Sequence, residues 1–297
     1  TWAFREAPVP AHTTPSTPPQ YCGGGHTLGI TRCARSPSIH QSRTSIGMGG
    51  GGDDGGGTRV VVLGATGGCG ARAVEALLER GADVTAVVRS AGRLPDGLRA
   101  NPKLAVVETP GGHLGTDLRE HLRGATAVLL CLGHNLTPAG LWGPPWRLCR
   151  DSVLQVARAC RDLEPSAPIR LAVIVTEGVS RPDGADPPRG IVERLVLGLL
   201  SLLIPPVADN EAVVATLGSE DFARKHSVEF CAVRPSNMVD GERCAYSLHE
   251  TLQNGALNAT GQTTRANVGY FMADLATSDE PWGHWRGKYP HILDVPA

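Results

Sequence analysis

Net charge is nearly absent from this chain of 297 residues: 28 Lys and Arg stand against 29 Asp and Glu, a formal -1 with histidine neutral. Phosphate backbones and anionic bilayers are attracted at long range by dense positive fields. The chain as a whole has none, so no nucleic acid partner is expected. Eight cysteines, Cys22, Cys33, Cys69, Cys131, Cys149, Cys160, Cys231 and Cys244, include no CxxC pair, and no histidines join them at ligand spacing. Neither a metal module nor a disulfide framework is expected. Most of these thiols lie among aliphatic residues, where cysteine behaves as a small hydrophobe, and this points to a reducing compartment. Long apolar runs are missing too. The nearest, IVERLVLGLLSLLIPPV, carries Glu193 and Arg194 and stops at Pro205. It falls short of the roughly 18 uncharged residues that span a bilayer, so no integral membrane segment is expected.

What remains is the composition of a folded α/β protein. Hydrophobic residues make up 41% and charged residues 19%, enough apolar surface for one large core. The segment 1–57 differs: Ser, Thr, Pro, Gly and Arg dominate it, Glu6 is its only acid before Asp53, and a glycine run ends it. It has two readings, a disordered tail and linker or an organellar transit peptide for plastid or mitochondrion, which is Ser- and Arg-rich and poor in acids. If it is not a targeting segment, the cytoplasm is the expected compartment.

From Thr58 the pattern is regular. Residues 58–63 are β-branched and aliphatic without alternation, as a parallel strand covered on both faces requires. Gly64, Gly67 and Gly70 follow in GxxGxxG spacing, then a helix with apolar positions Ala73, Val74, Leu77 and Leu78 and a stop at Gly81. DVTAVVR is a second buried strand, closing a βαβ unit. The spacing has a physical reason: the first glycine turns the chain off the strand, the middle one lets backbone N–H groups approach a phosphate, and the last lets the helix pack closely. A pyrophosphate then rests on the helix N-terminus, where unpaired amides and the dipole favour anions. No Lys-Ser or Lys-Thr follows the loop, which excludes a nucleoside triphosphate P-loop of the usual form.

At the end of the second strand a dinucleotide site carries an acid for a ribose 2′-OH or an arginine for a 2′-phosphate. Arg89 stands there, beside Ser90, so NADP (NADPH) is expected before NAD. KLAVVET, ATAVLLCLGHN, PIRLAVIVTEGVS and VEFCAVRPSNMVDG read as strands three to six, with helices over TDLREHLRG and LCRDSVLQVARACRDL between them. The alternation predicts a doubly wound parallel sheet of the Rossmann kind, with ligands at the carboxyl ends of the strands: Gly64 onward, Arg89, Gly133-His134-Asn135 and Thr176-Glu177.

GATGGCG, the strand-end arginine, LLCLGHN, VIVTEGVS and AVRPSNMVDG together resemble the atypical short-chain dehydrogenase/reductases, in the NAD(P)-binding group that includes NmrA-like proteins. The resemblance runs from Thr58 to the C-terminus. It implies that Gly64, Ala65, Thr66, Gly67, Gly68, Cys69 and Gly70 line the pyrophosphate and Arg89 the 2′-phosphate. It places Leu132 and Gly133 on the ribose side and Thr176 on the nicotinamide side. It also implies a small C-terminal substrate subdomain, with substrate-side elements mainly in 181–210 and 240–297. One departure is large: active members use a Tyr-x-x-x-Lys pair for proton transfer, and this chain has none. By alignment the tyrosine position falls near Pro206 and the lysine position near Asn210.

The remaining candidates for catalysis are Thr176, where the family keeps a serine, and His134, a strand-end imidazole suited to general acid work. Thr176 is equally well read as a residue bonding local backbone. Tyr246 and His249 are expected to pack or to lie on the surface, and Trp282, Trp285 and Tyr289 to pack over the substrate side. Cys69 lies at a helix N-terminus, which can depress a thiol pKa, although a small residue filling the loop is the simpler reading. GIVERLVLGLLSLLIPPV, apolar on nearly all faces, is expected as a core or cleft-covering helix, with a homodimer interface or a wall for a lipophilic substrate as the alternatives. The function expected is an NADPH-dependent oxidoreductase acting on a small molecule. The alternatives are a non-catalytic NADP-binding sensor and, more distantly, a sugar-nucleotide epimerase.

Overall fold

The computed structural model describes residues 57–135, 137–257 and 261–295. The expected tail or transit peptide before Gly57 lies outside the described residues. The chain opens with strand β1 (Arg59–Leu63), helix α1 (Gly68–Glu79), β2 (Asp83–Val88), the short α2 (Asp96–Arg99), β3 (Leu104–Glu108), the single turn α3 (Arg119–Leu122) and β4 (Ala127–Leu130). It continues with α4 (Pro138–Trp142), α5 (Leu148–Leu163), β5 (Ile169–Ile174), α6 (Ile191–Leu203), α7 (Pro205–Leu217), α8 (Phe222–His226), β6 (Val228–Pro235) and β7 (Asn237–Val239). Last come β8 (Tyr246–His249), β9 (Gln262–Thr264), α9 (Arg265–Thr277), α10 (Asp279–Trp285) and β10 (His291–Asp294).

Eight strands form one sheet in the order β3-β2-β1-β4-β5-β6-β10-β8. Every neighbouring pair is parallel except β10 with β8 at the edge. The strand order reverses between β1 and β4, and the connections leaving these two strands to opposite sides open a crevice at their carboxyl ends, the place where doubly wound sheets hold ligands. Strand β1 is buried because its side chains serve two layers. Val60 and Val62 enter the core under α1 and α9, while Val61 and Leu63 enter the core under α5 and α7. That double demand is why the strand reads as an unbroken aliphatic run.

The C-terminal segment expected on the substrate side has two structural parts. Helix α9 packs on α1 and over β4 and β5, so it is part of the main layer. The rest comprises α10, the sheet edge β10-β8, and β9, which pairs with β7 in a two-stranded parallel sheet. Arg234, at the end of β6, ties the edge together with no exposure of its own: its guanidinium meets Asp186 at 2.6 Å and donates to the Tyr289 carbonyl. Trp282 and Trp285 are buried, and Trp282 donates its indole N–H to Glu229. They pack, but beside Arg170 and Glu229 at the start of β5 and β6, not over the carboxyl ends where the substrate side was expected.

Two further expectations are corrected. TDLREHLRG forms only the single turn of α3, because its only fully buried anchors are Leu118 and Leu122. Helix α6 is not a core helix: no residue of it is buried, since it packs mainly on α7 and leaves the opposite side open. No single helix among the described residues is long and apolar enough to cross a membrane. Helices α6 and α7 pass that test only as a pair bent by 105°, and Val213, Val214 and Leu217 of α7 lie in the core.

Candidate functional site

The carboxyl ends of β1, β2 and β4 open into a cavity of about 600 Å³, within the roughly 300–1,000 Å³ of small-molecule sites. Its floor is the turn from β1 into α1. Gly64 has φ 84°, and a Cβ there would lie 2.3 Å from the Cys131 carbonyl oxygen, so only glycine lets β1 turn this close to the end of β4. Gly67 is the N-cap of α1 and brings no capping side chain, leaving the first amides of the helix for an anion. Gly70 sits one turn in, where a Cβ would lie 2.1 Å from the Gly64 carbonyl oxygen.

Of the residues expected on the cofactor, Gly64, Thr66, Gly67, Arg89, Leu132 and Gly133 line this cavity, and His134 joins them. Ala65 is fully buried beneath the loop, and Gly68, Cys69 and Gly70 form the first turn of α1. Thr176 is outside the lining, and its Oγ1 accepts the Gly178 N–H at 3.3 Å. Glu177 points elsewhere, accepting from Ser236 at 2.8 Å with buried His291 at 3.4 Å. Tyr246 is buried in β8 against Phe271, and burial lowers the pKa of the His249 imidazole. The helix terminus does not acidify Cys69: burial pushes its thiol up to about 11, against the opposing pull of Arg265.

Several site residues had no clear signal in the sequence. Arg93, in the short turn after β2, lines the same cavity as Arg89. Its spacing of four from Arg89 was the available sign. His113 also lines the cavity, and its Nε2 meets the Ser152 hydroxyl at 2.7 Å. The most informative is Asp209 of α7, whose side chain has no exposure. Its Oδ2 accepts the Cys149 N–H at 2.7 Å and its Oδ1 the Arg150 N–H at 3.0 Å. One carboxylate from α7 thus caps the start of α5 across the fold. Oδ2 also meets His134 Nε2 at 2.8 Å. A carboxylate accepts only, so the imidazole proton sits on Nε2 and Nδ1 is the nitrogen left to act. Cys149 Sγ lies with these two groups, their ligand atoms all within 4.8 Å of one another. Burial raises the pKa of that thiol, and the carboxylate already accepts three hydrogen bonds, so the donor set suits this hydrogen-bond network better than a cation.

Burial lowers the His113 pKa from 6.5 to about 4. The neutral ring is the folded form, so its stabilisation is complete above the unfolded value near 6.5 and is lost as pH falls to about 4. The loss amounts to roughly 3 kcal/mol at about 1.4 kcal/mol per unit. Urea midpoints should decline across that window, and His113→Gln should flatten the decline. An unchanged slope in the variant would assign the acid sensitivity elsewhere.

Fold and cavity define the class: a dinucleotide-binding protein of the Rossmann type. Residues 64–279 match the NAD(P)H-binding family, and the chain belongs to that family. A Lactobacillus casei protein of known structure superposes with a TM-score of 0.61 at 20% identity, covering 80% of this chain and all of that one. A Veillonella parvula short-chain dehydrogenase/reductase in complex with NADP gives 0.55 at 17% identity, over 81% of this chain and 95% of that one. The oxidoreductase ylbE of Lactococcus lactis gives 0.56 at 13% identity, over 81% and 92%. In sequence, a chloroplastic protein of Arabidopsis thaliana is 26% identical over 180 residues, 61% of this chain. The match spans 59% of that relative's length.

Proposed function

We propose that the chain is an NADPH-dependent oxidoreductase of the atypical short-chain dehydrogenase/reductase type, acting on a small molecule. The supporting observation is the pairing of a glycine-backbone floor at α1 with two guanidinium groups, Arg89 and Arg93, on one cavity. Arg89 is exposed, and no hydrogen bond or ion pair of its side chain is seen among the described residues. A 2′-phosphate is the charge that would occupy both arginines. When bound, the nicotinamide supplies a hydride. This chain holds the diphosphate on the α1 amides and the 2′-phosphate on Arg89 and Arg93. His134, oriented by Asp209, has Nδ1 available to move a proton on the cavity side.

Direct titration should show NADPH bound more tightly than NADH. Arg89→Glu should weaken NADPH about a hundredfold, as expected for loss of a charge-assisted contact plus like-charge repulsion, while NADH changes by less than about threefold. Equal losses for the two dinucleotides would overturn the 2′-phosphate assignment.

A second reading, a non-catalytic NADP sensor, is favoured by α7. The places of the family's tyrosine and lysine fall near Pro206 and Asn210, neither of which can replace them, and Asn210 Nδ2 donates to the Pro206 carbonyl at 2.8 Å. Turnover of NADPH against carbonyl, quinone and flavin acceptors separates the two readings. Consumption lost in His134→Gln supports the enzyme; binding without consumption across the panel supports the sensor. The composition of residues 1–57 and the chloroplastic relative support residence in a plastid. A fluorescent protein fused behind that segment should then enter plastids, and cytoplasmic retention would refute this.

A further inference from the structure

Helix α6 carries an apolar stripe on which nothing packs among the described residues. Ile191, Val192, Leu195, Leu199, Leu202 and Leu203 fall within about a third of a turn at 100° per residue, and Leu202 and Ile191 are 80% and 77% exposed. The stripe continues onto a second element. Trp142 donates its indole N–H to the Leu203 carbonyl at 2.9 Å, and Trp146 donates to the Trp142 carbonyl at 2.8 Å. Both indoles, more than half exposed, therefore have their polar edge occupied and their apolar faces free. Soluble monomers rarely leave so much contiguous apolar surface without a use.

The charges around the face say what covers it. Arg194 flanks the stripe and Arg147 follows Trp146; both are exposed, and no ion pair of either is seen among the described residues. The stripe and the loop 142–147 hold no carboxylate. Glu193 lies on the opposite flank, bound to Arg189 at 2.6 Å. A second copy meeting this face about a two-fold axis would present the same residues and so bring no counter-charge. An anionic lipid surface brings both parts: an acyl boundary for leucine and isoleucine, and headgroups for arginine and indole.

We propose that α6 and the loop 142–147 form a monotopic docking face for an anionic lipid surface. The loop has a second role, since Gly143, Pro144 and Pro145 line the nucleotide cavity. Docking thus sets the cavity mouth at the lipid boundary, where an apolar substrate dissolved in the lipid could enter. That consequence rests on the oxidoreductase reading, whereas the docking does not.

The test is flotation of the full chain with vesicles of phosphatidylcholine and phosphatidylglycerol in equal parts, and with phosphatidylcholine alone. The chain should float with the mixed vesicles. Leu195→Glu with Leu199→Glu should reduce binding at least about tenfold, and Arg147→Gln and Arg194→Gln about fivefold each, the latter only on mixed vesicles. NADPH titration and thermal melting of the same variants should match the parent, because none of these side chains is buried. This keeps a failure of docking distinct from a failure of cofactor binding. Absence of flotation, flotation undiminished in the double variant, or a dimer in sedimentation velocity that Leu199→Glu dissociates would each overturn the proposal.

Discussion

Gly70→Ala is expected to cost dinucleotide affinity about a hundredfold, equivalent to roughly 3 kcal/mol, and to lower the melting temperature as well. Helix propensity argues the other way, since alanine inside a helix gains about 1 kcal/mol over glycine. The contact decides the sign. The added Cβ would sit 2.1 Å from the Gly64 carbonyl oxygen and 2.8 Å from its carbon, backbone atoms that cannot swing aside as a side chain would. Relief requires α1 to move off β1, and the amides at its start move with it. Gly97→Ala is the matched control, because a Cβ there meets nothing within 4 Å. It should leave binding unchanged and stability unchanged or slightly raised. Isothermal titration with NADPH and thermal melts of both variants check this. Wild-type affinity in Gly70→Ala would show that the close turn is not what holds the ligand.

The glycine turn was readable because its requirement is local: three residues in fixed spacing must let backbone approach backbone, and nothing distant changes that need. The same holds for the buried strands, whose aliphatic runs follow from having a layer on each face, and for α5, whose bounds Leu148–Leu163 coincide with the stretch read as a helix. Arg89 was readable by its distance from the loop, and it does line the cavity. What stayed hidden depends on pairings across the fold. Arg234 in AVRPSNMVDG carries no sign of its burial until Asp186 is placed against it. Helix α6 was misjudged because an all-round apolar helix is usually enclosed, and composition does not say whether a neighbour exists to enclose it. Asp209 stands beside Asn210 and Glu211 in PPVADNEAVV, where nothing in the sequence sets it apart, and its partners lie on α5 and at the end of β4. Neither segment is near it in sequence.

Those partners make Asp209→Ala the other large effect. Removing the carboxylate strands three donors at once: the Cys149 and Arg150 amides and His134 Nε2. The site is fully enclosed on the Asp209 side, with His134 only 6% exposed, so water cannot readily replace the acceptor. Unmade hydrogen bonds in such a setting cost about 1–3 kcal/mol each, and losing a buried charge partner costs about 3–5 kcal/mol in all. For a domain of this size that corresponds to a fall in melting temperature on the order of 10 °C. Asp209→Asn separates the two roles of the residue. Its amide oxygen can still accept one backbone N–H, so the loss of stability should be less than half that of the alanine variant. Its NH2 group, however, cannot accept a proton that the imidazole donates. His134 must then turn its ring or exchange its proton to Nδ1, so under the proposed oxidoreductase reading NADPH turnover should fall and its pH profile shift while NADPH affinity stays near the parent value. Melting by circular dichroism reads the first effect, and the pH dependence of turnover beside a binding titration reads the second. An asparagine variant with the parental pH profile would leave Asp209 as a helix cap alone and take His134 out of the proton path.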